Sequence, residues 1–194
     1  DMRVDKAVED AVREALKTRG IANILISGKT GVGKSTLINS VFQGNLAETG
    51  QGRPVTQSTR RITKEDVPVA IYDTKGIEVK DYEPILKDLI NFVKGKNSNS
   101  DPKEHIHCAW VCIAEGSHRV EAAEVELVRE LDRLQIPVIA VITKALADNG
   151  FKKVVQQLIP EARNVVRVNS VAVELDGGQL LPVQGLDTLV ELTM

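Results

Sequence analysis

The stretch Ile21-Ala22-Asn23-Ile24-Leu25-Ile26-Ser27-Gly28-Lys29-Thr30-Gly31-Val32-Gly33-Lys34-Ser35-Thr36-Leu37-Ile38 decides how the rest of the chain is read. Ile21 to Ser27 form an apolar run of strand length, and from Lys34 to Gln43 the residues Leu37, Ile38 and Val41 recur at helical spacing. Between them, Gly28 to Ser35 fit the pattern G-x-x-x-x-G-K-[ST] in the strand-to-helix setting that it requires. The glycines let the backbone curl until successive N–H groups face one phosphate cluster, and the helix N-terminus adds positive potential. Gly28, Lys29, Thr30, Gly31, Val32, Gly33 and Thr36 are expected to cradle phosphates, with Lys34 reaching the β and γ phosphates and the Ser35 hydroxyl ligating Mg²⁺.

Outward from this loop the chain alternates. Strands are expected at Arg60 to Asp66, Val67 to Asp73, Ile106 to Ala114, Pro137 to Ile142 and Asn164 to Asn169. Helices are expected over Tyr82 to Val93, Val120 to Leu134 and Phe151 to Leu158, and from Gly185 onward. Gly44 to Thr59, broken by Gly50, Gly52 and Pro54, reads as a long loop, and Gly95 to Lys103 as a flexible connector. Such alternation implies a mostly parallel sheet covered by helices on both faces. Ahead of it, Met2 to Arg19 set Val4, Val8, Ala11, Val12, Ala15 and Leu16 on one helical face. The division expected is thus an amphipathic helix over residues 1–20 and one nucleotide-binding domain over 21–194.

The chain has 194 residues, room for one α/β domain with a full core. A formal net charge of -2 offers no broad basic field for nucleic acid, and the mixed charges of the first helix disfavour a membrane surface. No apolar run approaches the roughly 20 residues that span a bilayer. Cys108 and Cys112 lie four apart in an apolar strand, too distant for a disulfide, which suits a reducing compartment. His105 and His107 beside those cysteines do not converge as the spaced pairs of zinc modules do, so a buried strand is expected rather than a metal site. The chain opens on Asp1 and stops at Met194 inside an apolar helical pattern, the expectation for a domain of a longer protein.

A second motif is Val69-Ala70-Ile71-Tyr72-Asp73-Thr74-Lys75-Gly76, an apolar strand ending in D-T-x-G. Asp73 is placed to hold Mg²⁺ through water, and the Gly76 N–H to approach the γ-phosphate. On these motifs the sequence resembles the translation-factor-related GTPases, and among them looks most like the bacterial Era/TrmE-like small GTP-binding domains, over roughly Ile21 to Met194. The resemblance implies a P-loop NTPase three-layer sandwich of Ras-like topology. Its sheet would be six-stranded and mostly parallel, with the second strand antiparallel at an edge. It also implies a Mg²⁺-dependent switch binding GTP or GDP in the cytoplasm, with a parent protein that can be membrane-associated. A homodimer or an activating protein would be the partner.

In that family the loop before the second strand carries a threonine that completes the Mg²⁺ shell. By similarity this is Thr56, with Thr59 and Thr49 as alternatives, so that Ser35, Thr56 and Asp73 would surround the metal and Lys34, Thr56 and Gly76 the γ-phosphate. The family's base-reading motif is [NT]-K-x-D, whose aspartate accepts both guanine N–H donors. Here the strand ends Thr143-Lys144-Ala145-Leu146-Ala147-Asp148: Thr143 and Lys144 fit, Leu146 stands at the aspartate's position, and Asp148 comes two residues late. Ser170 and Val171, in Asn169-Ser170-Val171-Ala172, match the turn that contributes backbone contacts to the base.

Ras-type enzymes carry a water-orienting glutamine after the glycine of D-x-x-G, whereas this chain has Ile77 and then Glu78. Slow intrinsic turnover is the expectation, raised when a partner or second copy supplies a polar group. Glu78, Arg60, Arg61, His118 and Arg119 are the candidates in cis. Two rival readings are a nucleotide-dependent assembly module with incidental hydrolysis and an ATP-using P-loop protein, the latter favoured only by the displaced Asp148.

Overall fold

The structure, a computed structural model, describes residues 6, 10, 20–44, 52–78, 80–171, 173–174, 176–181 and 183–193. The expected N-terminal helix, and with it Thr49, lies outside the described residues except for Lys6 and Asp10, both helical and exposed.

Strand β1 (Ala22–Gly28) runs into the glycine loop and helix α1 (Lys34–Phe42). Next come β2 (Arg53–Pro54), β3 (Thr59–Thr63) and β4 (Val69–Thr74), then α2 (Tyr82–Asn97). The chain continues through β5 (Cys108–Ala114), α3 (Ala122–Arg133), β6 (Val138–Thr143), α4 (Phe151–Leu158) and β7 (Asn164–Arg167). A small ribbon of β8 (Val173–Glu174) and β9 (Leu180–Leu181) precedes α5 (Leu186–Thr193).

The main sheet has the order β2-β3-β4-β1-β5-β6-β7. Strands β4, β1, β5, β6 and β7 are parallel, while β3 runs antiparallel to β4 and β2 antiparallel to β3. The sheet therefore has seven strands rather than the expected six, and β3 is not the edge, because Arg53 and Pro54 pair with Arg61 and Arg60. Two residues are too few for an alternating pattern, and a proline without an N–H is tolerated only on such an outer strand.

Alternate strand residues divide the core. Ile24 and Ile26 face Leu37, Ile38, Val41 and Phe42 of α1 and Leu189 and Val190 of α5. Leu25, between them, packs with Leu86 and Leu89 of α2 and Leu127 and Leu131 of α3 on the other face. Trp110 on β5, almost fully buried, donates its indole N–H to Thr193 Oγ1 at 2.9 Å and so pins α5 to the sheet. Within the starting strand, buried Asn23 donates to the carbonyls of Lys103 (2.7 Å) and His105 (2.8 Å), which ties the connector to the sheet. With five parallel strands side by side, the loops after β1, β4, β5 and β6 open along one edge, where ligands bind in sheets of this kind.

Replacing Trp110 by alanine removes a large core side chain and its hydrogen bond, and is expected to destabilise the domain by about 3–5 kcal/mol. The check is the shift of the urea midpoint against wild type.

Candidate functional site

The loop after β1 is shaped by two residues with positive φ, Gly31 at 80° and Gly33 at 93°, a region where a side chain would be strained. Gly33 caps α1, and a Cβ there would also stand 3.3 Å from Lys144 Cε, so the glycine brings the two motifs into contact. Val32 N donates to the Lys29 carbonyl at 3.2 Å and closes the turn.

Lys34, the first residue of α1, places Nζ 2.7 Å from Asp73 Oδ1 and also donates to the Thr74 carbonyl. Asp73 Oδ2 takes a second cation, Arg60 Nη2, at 3.1 Å. The neighbouring Thr74 hydroxyl donates to the Ile26 carbonyl at 2.8 Å, which locks the end of β4 against β1. Gly76 runs so close to the loop that a Cβ would meet Thr30 N at 3.1 Å and the Gly28 carbonyl at 3.2 Å. Two residues on, Glu78 Oε1 accepts from Thr30 N at 3.2 Å, and hydrogen bonds from Thr30 hold its carboxyl below the usual value. Ser35 is exposed beside Lys34, at the start of α1.

Thr56 sits elsewhere. It lies in the turn between β2 and β3, exposed, its hydroxyl accepting from Ser58 N at 3.1 Å, and Ser58 O accepts from Lys75 N at 2.7 Å. The threonine is thus engaged in its own turn, and its loop is stitched to the segment after Asp73. Thr59 is buried in β3 opposite Thr74.

At the other end of the loop lies a cavity of about 300 Å³ walled by Thr36, Thr143, Lys144, Leu146, Asn169 and Val171. Gly33 and Ser170 complete its rim. The Thr143 hydroxyl donates to the Val32 carbonyl at 2.5 Å, and Lys144 Nζ to the Gly31 carbonyl at 2.6 Å, so both motif residues brace the phosphate loop. Asp148, expected at the base, is not in this wall: its Oδ1 accepts from Gly150 N at 3.1 Å and starts α4 instead.

Two buried glutamates escaped the sequence reading. Glu115, just after β5, accepts from Leu146 N at 2.6 Å and Ala147 N at 3.2 Å, and its other oxygen takes Arg167 Nε at 2.8 Å and Nη2 at 2.7 Å. Glu124 helps line a second cavity of about 110 Å³ behind Lys29, Thr30 and Gly31. It shares a capping box with Glu121, its Oε1 accepting from Glu121 N at 3.1 Å, while Oε2 makes no hydrogen bond among the described residues. Burial pushes its carboxyl up to about 7. Glu121 in turn pairs with Lys29 at 3.0 Å and with Arg119 at 2.7 Å.

The remaining candidates are accounted for. Arg61 lies over the Tyr72 ring, 6.0 Å from its centroid, and His118 meets Phe151 edge-on at 6.4 Å. The rings of His105 and His107 bond to the carbonyls of Asn99 and Pro102, and burial pushes both cysteine thiols up to about 12. Among the described residues no group of three or more His, Cys, Asp or Glu could hold a metal ion.

A family model described as 50S ribosome-binding GTPase matches residues 23–144. Septin-9 of Rattus norvegicus is 23% identical over 178 residues, which cover 73% of this chain and 29% of the relative. Neuronal-specific septin-3 of Danio rerio is 25% identical over 167 residues, covering 71% and 45%. The chain therefore spans less than half the length of these curated relatives. Among solved structures, Toc33 from Arabidopsis thaliana in complex with Mg²⁺ and GMPPNP aligns with a TM-score of 0.62 and 16% identity, over 97% of this chain and 89% of that one. A probable GTP-binding protein engB aligns at 0.56 and 18% identity, over 77% and 89%. These structural likenesses establish a shared fold.

Glu115→Ala would leave the Arg167 guanidinium and two N–H groups without their carboxylate, and is expected to cost about 3–5 kcal/mol in a denaturant titration. Glu124 gives a pH dependence. Its folded value of about 7 lies above the ordinary 4.5, so stability is fullest below 4.5, where both states hold the proton, and falls as pH rises toward 7. Glu124→Gln keeps the capping box and removes that slope, so the variant should gain roughly 1–3 kcal/mol over wild type between pH 5 and pH 8, read from unfolding midpoints at both.

Proposed function

We propose that this chain, which belongs to the family of 50S ribosome-binding GTPases, works as a Mg²⁺-dependent switch in which one lysine couples the phosphate loop to the end of β4 and, through Asp73, to the β2–β3 hairpin. The observation that carries this reading is the position of Lys34, on the phosphate loop yet bonded to Asp73 and Thr74 at the end of β4. Phosphate oxygens compete with Asp73 for that ammonium. As Lys34 turns to them, Asp73 loses a cation and its oxygen becomes available for a metal ion. Arg60, the other partner of Asp73, sits on β3, so the change reaches the β2–β3 hairpin directly. Glu78 leaves Thr30 N for the same electrostatic reason, since a carboxylate and a phosphate cannot share that donor comfortably.

The donor set fits Mg²⁺, which keeps most of its ligands as water and phosphate oxygen and takes one or two from the protein. Ser35 and Asp73 would supply these oxygens, with Thr56 joining when its turn opens. When bound, the ion neutralises developing phosphate charge. Gly76, held against the phosphate loop without a side chain, leaves its N–H free to approach a γ-phosphate.

Turnover in this reading is slow. Ile77 follows Gly76 and is buried against the core, so it offers no polar group to a water. The narrower kinship with Era/TrmE-like domains, a cytoplasmic location and activation by self-association are parts of the proposal. D-T-x-G and T-K support the first. The second rests on the unpaired buried cysteines, and no described helix is long and apolar enough to cross a membrane. The third draws on the likeness in fold to Toc33, one structure of which is described as a dimerization deficient mutant.

Calorimetry with Mg²⁺ tests the site: Lys34→Ala should weaken GDP and a GTP analogue by tenfold or more, about 1.4 kcal/mol. Dilute wild type should hydrolyse GTP at or below ~10⁻³ s⁻¹, and a rate above about 1 s⁻¹ would overturn the slow-switch reading.

A further inference from the structure

We propose that the base site of this domain recognises the purine ring by its faces and does not read the 2-amino group of guanine, because Leu146 forms the wall where an acceptor would be needed. This rests on the nucleotide-binding reading above and names what that site discriminates.

The cavity beside the phosphate loop is walled by Lys144 on one side and by Leu146 and Val171, with Thr36, Thr143, Asn169 and Ser170 as the uncharged polar part of its lining. Both apolar side chains are about half exposed, at 50% and 53%, although nothing in the domain's own core requires them there. Guanine carries two donors on one edge, N1–H and the 2-amino group, and a carboxylate is the side chain that accepts from both at once. Among the described residues no carboxylate lines this cavity.

The two acids that bond to this loop are committed elsewhere. Glu115 is buried, at 5% exposure, and its oxygens accept from Leu146 N, Ala147 N and the Arg167 guanidinium. It fixes the backbone that aims Leu146 and has no lone pair directed outward at the base. Asp148 lies on the exposed side of the loop, where it caps the turn into α4 through Gly150 N. Moving it into the cavity would forfeit that turn and would require the segment held by Glu115 to rearrange. The loop is therefore built around leucine.

A leucine methyl packs on a purine edge and satisfies none of its donors. Hypoxanthine differs from guanine only in lacking the 2-amino group, so it isolates the group in question. A site that hydrogen-bonds a substrate N–H rejects an analogue without it strongly, whereas an apolar wall is indifferent.

The test measures GDP and IDP affinities by calorimetry with Mg²⁺ for wild type, Leu146→Asp and Lys34→Ala. The expected result is a GDP to IDP preference within about threefold for wild type, rising to tenfold or more in favour of GDP in Leu146→Asp. Since Leu146 is half exposed, the aspartate requires no buried charge. A wild-type preference for GDP of tenfold or more would overturn the proposal, and Asp148→Ala and Asn169→Leu would then identify the group that accepts from the amino proton. Failure is distinguishable at the level below: if wild type binds neither nucleotide, or Lys34→Ala binds both unchanged, the phosphate-site reading itself falls and this inference with it.

Discussion

The ammonium of Lys34 is mostly withdrawn from water, and the rest of the phosphate end of the molecule is arranged around its need for a counter-charge. A buried ammonium needs a counter-charge and hydrogen-bond acceptors beside it. Asp73 supplies the charge and the Thr74 carbonyl a second acceptor, so the end of β4 has to lie beside the loop after β1. Parallel pairing of the two strands, with Ile26 opposite Asp73, provides that, and the Thr74 hydroxyl on the Ile26 carbonyl fixes the register. Asp73 then carries two cations on two oxygens, and the second, Arg60, draws in β3. The carboxylate of Asp73 thus ties together the phosphate loop, the end of β4 and the antiparallel hairpin.

The region after β5 and β6 is built on the mirrored device, a buried anion in place of a buried cation. Glu115 leaves β5 just as the sheet ends and turns its carboxylate under the loop after β6, where two N–H groups and the Arg167 guanidinium on β7 meet it. An anion so enclosed is tolerated because every lone pair direction has a donor and the partner charge is adjacent. Three strand ends are bound by it into one rigid ledge. Lys144 crosses from that ledge to the Gly31 carbonyl, and Thr143 to the Val32 carbonyl, so the cavity wall is hydrogen-bonded directly to the phosphate loop.

Why some of this is legible in the residues and some is not follows from range. The strand, glycine loop and helix from Ile21 to Gln43 announce themselves because every signal is local: an apolar run, glycines at turn positions, a helical period. The parallel strands could be read for the same reason, down to the helix at Phe151 to Leu158. By contrast Glu115 finds its partners 31, 32 and 52 positions away. In a sequence it is one acid among 27 and looks like surface polarity. Glu124 is hidden differently, since a glutamate at the third position of a helix reads as a cap and nothing local says that its second oxygen is buried. The outer strand β2 failed because two residues carry no period.

The segment after Asp73 shows how a missing catalytic residue and a well-packed core can have the same cause. Gly76 must stay bare to lie against Thr30 and Gly28, and the chain leaving it at that angle sends the next side chain inward. Ile77 fills the space among Leu25, Tyr72 and Leu86, so it belongs to the core and holds the backbone down. A glutamine in that orientation would bury an amide without partners at a cost of about 1–3 kcal/mol. The polar position moves one residue on, to Glu78, whose carboxylate is anchored by Thr30 itself. The segment after Asp73 is therefore held at two adjacent points by opposite means, an apolar anchor at Ile77 and a charged one at Glu78.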